Sequence, residues 1–248
     1  MQQDEKAIDA AILAAQIILE SSGETYRAED TARRMSAAFG LERSEILAFP
    51  TGFTFSFCLP NGDVKTRVVR IHDRAISLRA INHVNDISRK AAHSELTAQQ
   101  AYDALISIRL SPKAKNWQSI LAFCLSAGFF SIMYGGKLTE FLIGCFTGFL
   151  LQALMPIYHY IHAPGPVVRF FSGAVVAISA TLLISIAGGG NQEAIIAGSI
   201  MPLLPGLALT NAVRDTLRGD LISGLARGVD ALLSAVMLAG GVALILML

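Results

Sequence analysis

The chain has 248 residues, a formal net charge of +1, and 16% charged against 53% hydrophobic residues. Residues 1–116 hold 15 Lys/Arg and 14 Asp/Glu, whereas residues 117–248 hold only 5 and 5. So few charges cannot cover a soluble surface of that length, where about a quarter of residues are usually charged, and the near-neutral total gives no polyanion footprint; a single globular enzyme and a nucleic-acid binder are excluded.

In chain order, Met1 to Lys6 is polar and no apolar run of about 7–15 residues follows, so no signal peptide is expected. Ile8, Ile12, Ala15 and Leu19 form a helical stripe over residues 5–22, which predicts an amphipathic helix ended by Gly23. Thr25 is placed to cap a second helix through Phe39, with Gly40 as its stop. Ile46 to Leu59, rich in Phe, Thr and Ile, reads as one strand. Asn61-Gly62-Asp63 signals a hairpin turn, and Val64 to Ile71 reads as the return strand. Helices are then predicted near 78–93, on Leu78, Ile81, Val84 and Ile87, and near 98–110, behind the cap residue Thr97. Residues 1–116 are expected to form an α+β domain, with helices flanking a small antiparallel sheet.

Uncharged stretches dominate the remainder: Asn116 to Gly136, Phe141 to Val168, Phe170 to Gln192, Ala194 to Val213 and Ala231 to Leu248. A bilayer core of about 30 Å needs roughly 20 apolar residues in a helix. The chain is therefore expected to be an α-helical integral membrane protein over residues 117–248, with five spans near 118–134, 140–158, 167–187, 194–213 and 224–247. With residues 1–116 cytosolic, the inner loops carry Arg109, Lys113, Lys115, Arg169, Arg214, Arg218 and Arg227, and the outer loops only Lys137. That is the positive-inside pattern, and it puts the N-terminus inside and the C-terminus outside. Trp117 falls at the inner interface, where an aromatic anchor is common. An odd span count and an apolar run up to Leu248 point to a larger assembly.

The fourth span contains Met201-Pro-Leu-Leu-Pro-Gly206 near its midpoint. Pro202 and Pro205 each lack an N–H and clash with the preceding turn, so a continuous helix is not expected. Broken helices must face protein or a water-lined cavity, and transporters place substrate sites at such breaks. Thr210 and Asn211 follow one turn beyond Gly206, then Arg214 and Asp215. A proline kink that only shapes packing is the alternative. Gln152, Thr147, Ser172, Ser179, Thr181 and Ser185 are polar within spans, but such hydroxyls commonly bond back to their own helix. Gly144-x-x-x-Gly148 and Gly224-x-x-x-Gly228 permit close helix approach.

Chemistry-bearing motifs are sparse in residues 1–116. Glu24, Arg27, Glu29 and Asp30 cluster at a helix start, where acidic residues are favoured in any case. His72-Asp73-Arg74 places an imidazole beside a carboxylate, an arrangement able to relay a proton. His83 and His93 are not spaced as a metal pair on one helix face. HExxH, GxSxG, Walker A, GxGxxG and CxxC patterns are absent, so no cofactor and no metal is expected. His159-Tyr-Ile-His162 reads as an interfacial loop that could titrate near neutrality.

Several strings resemble the threonine/serine exporter family: Gly23-Glu-Thr-Tyr-Arg-Ala-Glu29, Pro50-Thr-Gly52, His72-Asp-Arg74, Pro202-Leu-Leu-Pro-Gly-Leu-Ala-Leu-Thr-Asn-Ala-Val-Arg-Asp215 and Ser223-Gly-Leu-Ala-Arg227. The resemblance covers nearly the whole chain. It implies a soluble domain joined to five spans, without the second membrane half, as in the split YjjP-like type. There a smaller companion membrane protein supplies that half, with dicarboxylate (succinate) export associated with the split systems and threonine and serine export with the fused ones.

Together these point to a subunit of a secondary transporter in the cytoplasmic (inner) membrane, one exporting small carboxylate metabolites with proton coupling. The expected path residues are Pro202, Pro205, Gly206, Thr210, Asn211 and Arg214, with Arg227 a second choice to draw in the carboxylate. Asp215 and Glu193 are candidate proton carriers, although either can simply mark a helix end. Glu24, Arg27, His72, Asp73 and Arg74 form the candidate cytosolic cluster. The expected partners are the companion protein, the lipid bilayer, the carboxylate substrate and further copies in an oligomer. The rival readings are a membrane-anchored enzyme with hydrolase-like chemistry at His72, Asp73 and Glu24, and a channel or sensor.

Overall fold

The computed structural model describes residues 2–41, 43–58, 62–111 and 116–248. Leu59, Asn61, Lys113 and Lys115, which carry parts of the strand, turn and loop expectations, lie outside those residues. The described elements are α1 (Gln2–Glu20), α2 (Thr25–Ala38), β1 (Ser44–Phe49), β2 (Gly52–Cys58), β3 (Val64–Arg70), α3 (Leu78–Ala92), α4 (Ala98–Leu110), α5 (Asn116–Met133), α6 (Leu138–Tyr160), α7 (Gly165–Ala187), α8 (Gln192–Ile200), a single 3₁₀ turn (Met201–Leu203), α9 (Gly206–Leu217) and α10 (Leu221–Leu246). They divide into two compact units, Met1–Pro112 with Leu207–Gly228, and Lys113–Gly206 with Val229–Leu248.

The first unit is built around α1. Its apolar stripe predicts a one-faced helix, yet Ala7, Ile8, Ala10, Ala11, Leu13, Ala14, Ile17 and Ile18 are all buried. Alanines between the large side chains let α2, α3, α4 and β2 close around it, and a helix apolar on every side is an interior helix. The single strand expected over 46–59 is two strands. Pro50 and Thr51 form a turn, so that Phe49 pairs with Gly52, and β1-β2-β3 is an antiparallel meander. A proline has no N–H for a ladder and belongs at such a turn. Phe53, Phe55 and Phe57 alternate from β2 into the core beside Ile46 and Ala48. Thr97 caps α4 as expected, accepting from the Gln100 N–H while Gln100 Oε1 accepts from the Thr97 N–H at 2.9 Å.

Among the described residues α5, α6, α7 and α10 are long and apolar enough to cross a membrane; counting 192–203 with 206–217 as one interrupted span makes five. Leu121, Phe129, Leu142, Phe146, Phe171 and Leu182 are exposed on these helices, which suits lipid contact. The helices meet through small residues. Gly144 lies against Ala127 and Gly128 of α5, and Gly148 against Phe123 and Cys124. Ser131, Ser179 and Thr181 donate to carbonyls one turn back in their own helices, the packing role expected of such hydroxyls. The buried Glu140 carboxylate ties two loops together, accepting from the Lys137 N–H at 2.6 Å and the Asn191 N–H at 2.8 Å.

At Gly148 an added Cβ would lie 2.7 Å from the Phe123 carbonyl oxygen and 3.0 Å from Cys124 Cα, backbone that cannot yield cheaply. Gly148→Ala is therefore expected to destabilise the α5–α6 pair by about 1–3 kcal/mol. Gly165→Ala, where nothing lies within 4 Å, should leave stability unchanged. Thermal unfolding in detergent measures both; equal melting temperatures for the two variants would show that the pair does not depend on this contact.

Candidate functional site

In the first unit the chain reverses between α1 and α2. Ser22 takes a left-handed conformation with φ 61, and Gly23 packs so closely that a Cβ would lie 2.6 Å from Ile18 Cγ2. The reversal leaves two carbonyls outside the helix ladders, and side chains from α9 and α10 take both. Asn211 Nδ2 donates to Ser22 O at 3.0 Å, and Arg227 Nη2 donates to Gly23 O at 2.6 Å. Thr25 does not cap α2. Its hydroxyl donates to Asp215 Oδ2 at 3.3 Å, and Arg227 Nε stands 3.0 Å from the same oxygen. Arg214 donates to Glu24 Oε1, while Glu24 Oε2 holds Arg27 Nε at 2.9 Å. The Arg218 guanidinium lies 3.7 Å over the Tyr26 ring.

This network joins residues expected to serve separate purposes. Glu24 and Arg27, from the candidate cytosolic cluster, meet Asn211, Arg214 and Asp215, from the path and coupling sets. His72, Asp73 and Arg74 are all exposed in the segment after β3, and the Arg74 charge is felt at Arg227 of the network. Thr210 and Glu193 are exposed as well. Glu29 Oε1 accepts from the Ala48 N–H of β1 at 2.8 Å. Thr25 and Arg227 gain a larger part than local spacing assigned them.

Burial alone would push the Glu24 carboxyl up, but its own backbone N–H and the charges of Arg27 and Arg214 outweigh burial and hold it below the ordinary range. Burial, with Asp220 nearby, pushes Glu29 up despite the Ala48 N–H. The Asp215–Arg227 pair is out of water, with side-chain exposures of 0% and 4%, and Asp215 Oδ1 has no hydrogen-bond partner among the described residues.

The second unit holds a separate feature. After the 3₁₀ turn Leu204 is extended (φ −64, ψ 139), and Gly206 N donates to Leu204 O at 2.9 Å, so the helix is interrupted at Pro205. Arg169 Nη1, from the first turns of α7, donates to the Leu203 carbonyl at 2.5 Å. A cleft of about 350 Å³ opens here, lined by Phe123, Met155, Arg169, Ser172, Pro202 and Leu203. Ser172 is buried, and its hydroxyl has no partner among the described residues. Arg169 was read from the sequence only as an orientation signal. Pro202 faces this cleft, whereas Asn211 and Arg214 belong to the first-unit network. Among the described residues no group of three or more His, Cys, Asp or Glu side chains is placed to hold a metal ion.

Two outcomes follow from the network. Because the folded Glu24 is more acidic than the unfolded one, its contribution is present above the unfolded value and lost as pH falls through the folded value. Glu24→Gln should therefore lower the melting temperature at neutral pH and flatten its decline on acidification; parallel pH profiles would remove Glu24 from the network. Breaking a buried pair leaves an uncompensated charge, at a cost of about 3–5 kcal/mol, whereas replacing both partners with apolar groups is far milder. Asp215→Leu or Arg227→Met alone is expected to destabilise more than the two together, as read by thermal unfolding; additive losses would show that the two side chains act independently.

The family model ThrE, described as "Putative threonine/serine exporter", matches residues 9–248. The chain is similar to "Probable succinate transporter subunit YjjP" of Klebsiella aerogenes, 24% identical over 218 residues, covering 87% of this chain and 83% of the relative. The Escherichia coli protein of the same name is 25% identical over 215 residues, 85% and 82% of the two chains. "Probable threonine/serine exporter" of Mycobacterium tuberculosis is 22% identical over 232 residues; the match covers 92% of this chain but 43% of that longer protein. No solved structure matches. These relatives are transporters, not enzymes, and the apolar helices above mark a membrane protein: the chain belongs to the threonine/serine exporter family.

Proposed function

We propose that this chain is one subunit of a proton-coupled secondary transporter that exports small carboxylate metabolites, threonine and serine or a dicarboxylate such as succinate, across the cytoplasmic membrane. The observation that carries the reading is the interrupted helix at 201–206, which meets an arginine and a cleft between apolar helices. Non-helical backbone at membrane depth persists only where protein or a water-lined cavity satisfies it, and transporters bind substrate at such interruptions. The names of the relatives support the substrate class. The subunit reading is supported by the relatives named as transporter subunits, of which this chain matches most of the length. A small companion membrane protein then supplies the second half.

In this reading residues 1–116 are cytosolic, residues 117–248 cross the membrane, and the C-terminus is outside; the placement of Arg109, Arg169, Arg214, Arg218 and Arg227 against Lys137 supports that orientation. Pro202, Pro205 and Gly206 shape the substrate path at the interruption. Thr210, Asn211 and Arg214 of α9 are further path candidates, and Asn211 and Arg214 also brace the turn at Ser22 and Glu24. Between the candidate proton carriers, the buried Asp215 is favoured over the exposed Glu193, because an enclosed carboxylate can exchange a proton and a pairing partner together.

The test is counterflow of labelled succinate, threonine and serine in liposomes carrying the chain with and without its companion. Gradient-dependent flux of at least one carboxylate is expected with the pair. Pro205→Ala combined with Gly206→Leu restores helix-forming residues at the interruption and should abolish flux while leaving membrane insertion intact. Normal flux in that double variant removes the argument from the interruption, and no flux of any carboxylate under any pairing sinks the transporter reading itself.

A further inference from the structure

We infer that the cleft between α7 and the 201–203 turn is a binding site for the carboxylate group of a small aliphatic metabolite, with Arg169 as its charged anchor and Ser172 as its second donor. This rests on the transporter reading but assigns the ligand contact to residues outside the 202–214 stretch and independently of Arg214.

The first argument is charge inside an apolar wall. Arg169 stands on a helix that is otherwise long and apolar enough to span a membrane, where an ionisable side chain is costly and marks a functional position. One of its N–H groups is used on the Leu203 carbonyl at 2.5 Å. The guanidinium is a planar fork with further N–H donors, and that geometry matches a carboxylate in two-pronged contact. The carboxylate on the page whose charge reaches Arg169 is Asp230, so an arriving anion competes with an internal counter-charge. Such competition weakens the hold on a bound anion and so eases its release, which a transport site requires.

The second argument is an unspent donor. Ser172 lies three residues after Arg169, on the same side of α7, and lines the same cleft. It is 1% exposed, and its Oγ has no partner among the described residues. A buried hydroxyl without a partner is costly; a ligand oxygen in the cleft would supply one. The third argument is size and lining. At about 350 Å³ the cleft is at the small end of ligand pockets, which span about 300–1,000 Å³. Phe123, Met155 and Pro202 give the rest of the wall little to offer a polyhydroxylated ligand, but suit a short aliphatic chain between or beside carboxylates.

Equilibrium binding of radiolabelled succinate and L-threonine to the full chain in nanodiscs, with and without its companion, tests the site, with succinamide, threonine amide and inorganic phosphate as competitors. Saturable binding of at least one of the two carboxylates is expected, with no displacement by the amides and weaker displacement by phosphate. Arg169→Gln should weaken it by about 10-fold or more and Ser172→Ala by roughly 3- to 10-fold, the usual range for charge-assisted and neutral hydrogen bonds, and Arg169→Lys should recover part of the loss. Because Arg169 also supports Leu203, melting temperatures accompany each variant; the Ser172 hydroxyl makes no hydrogen bond among the described residues, so Ser172→Ala isolates the ligand contact. Unchanged affinity in Arg169→Gln or Ser172→Ala, equal displacement by amides or phosphate, or no binding of either carboxylate overturns the site. If flux persists in liposomes while those variants bind and transport normally, the site falls and the transporter reading stands.

Discussion

The second unit depends on one constraint, that a backbone carbonyl or N–H at membrane depth must find a partner. Pro202 and Pro205 withhold two donors within four residues, and the ladder that would continue α8 into α9 stops. What remains is a short turn closed by the Leu204 N–H on Met201 O and a Leu203 carbonyl without a helical donor. Arg169 satisfies that carbonyl. A long cationic side chain must therefore enter an apolar bundle, and the bundle must leave room for it; the cleft beside Phe123, Met155 and Ser172 is that room. Glycines at α5–α6 and α7–α10 contacts bring the surrounding helices close enough to hold the arrangement.

The first unit obeys the same rule with different means. The tight reversal after α1 exposes the carbonyls of Ser22 and Gly23, and Asn211 and Arg227 answer them. Arg227 is then itself a buried charge, which Asp215 neutralises, and Asp215 draws Thr25 away from capping its helix. Each residue repairs the deficit left by the one before. This explains why two of the segments carrying the family resemblance, 23–29 and 202–227, hold charged and hydroxyl residues at positions that helix propensity alone would fill otherwise. Glycine at 23 is required by the approach of Ile18, and the acid at 24 by two arginines on opposite oxygens.

Much of this order was legible from local pattern, and the failures share a cause. Charge-free lengths marked the apolar helices, Thr97 marked a cap, and Pro-x-x-Pro-Gly marked the interruption. Each signal is complete within a few neighbouring residues. By contrast, α1 reads as one-faced because its alanines count weakly in any periodicity, although they are what allows neighbours on every side. Pro50 was overlooked because the phenylalanines around it kept the strand signal alive across the turn. The pairing of Thr25 with Asp215, and of Arg227 with Gly23, joins residues about two hundred positions apart, and no spacing rule reaches that far. Arg169 was hidden differently: a cation near a span end already had an explanation in membrane orientation, so its second role left no separate trace.

The contrast between the two charged groups bears on what the molecule can do. In the first unit Glu24 and Asp215 are each engaged by arginine, whereas His72 and Asp73 stand exposed. In the second unit a single guanidinium faces a small cleft with apolar walls, one N–H spent on backbone and an internal carboxylate within electrostatic reach. A guanidinium so placed suits an anion, the role proposed for the cleft, with the Ser172 hydroxyl as the other polar side chain on its wall. Reversible capture is what carriage across a membrane asks of a binding site, and on the proposed reading the interrupted helix beside the cleft contributes backbone that is already outside the helical ladder.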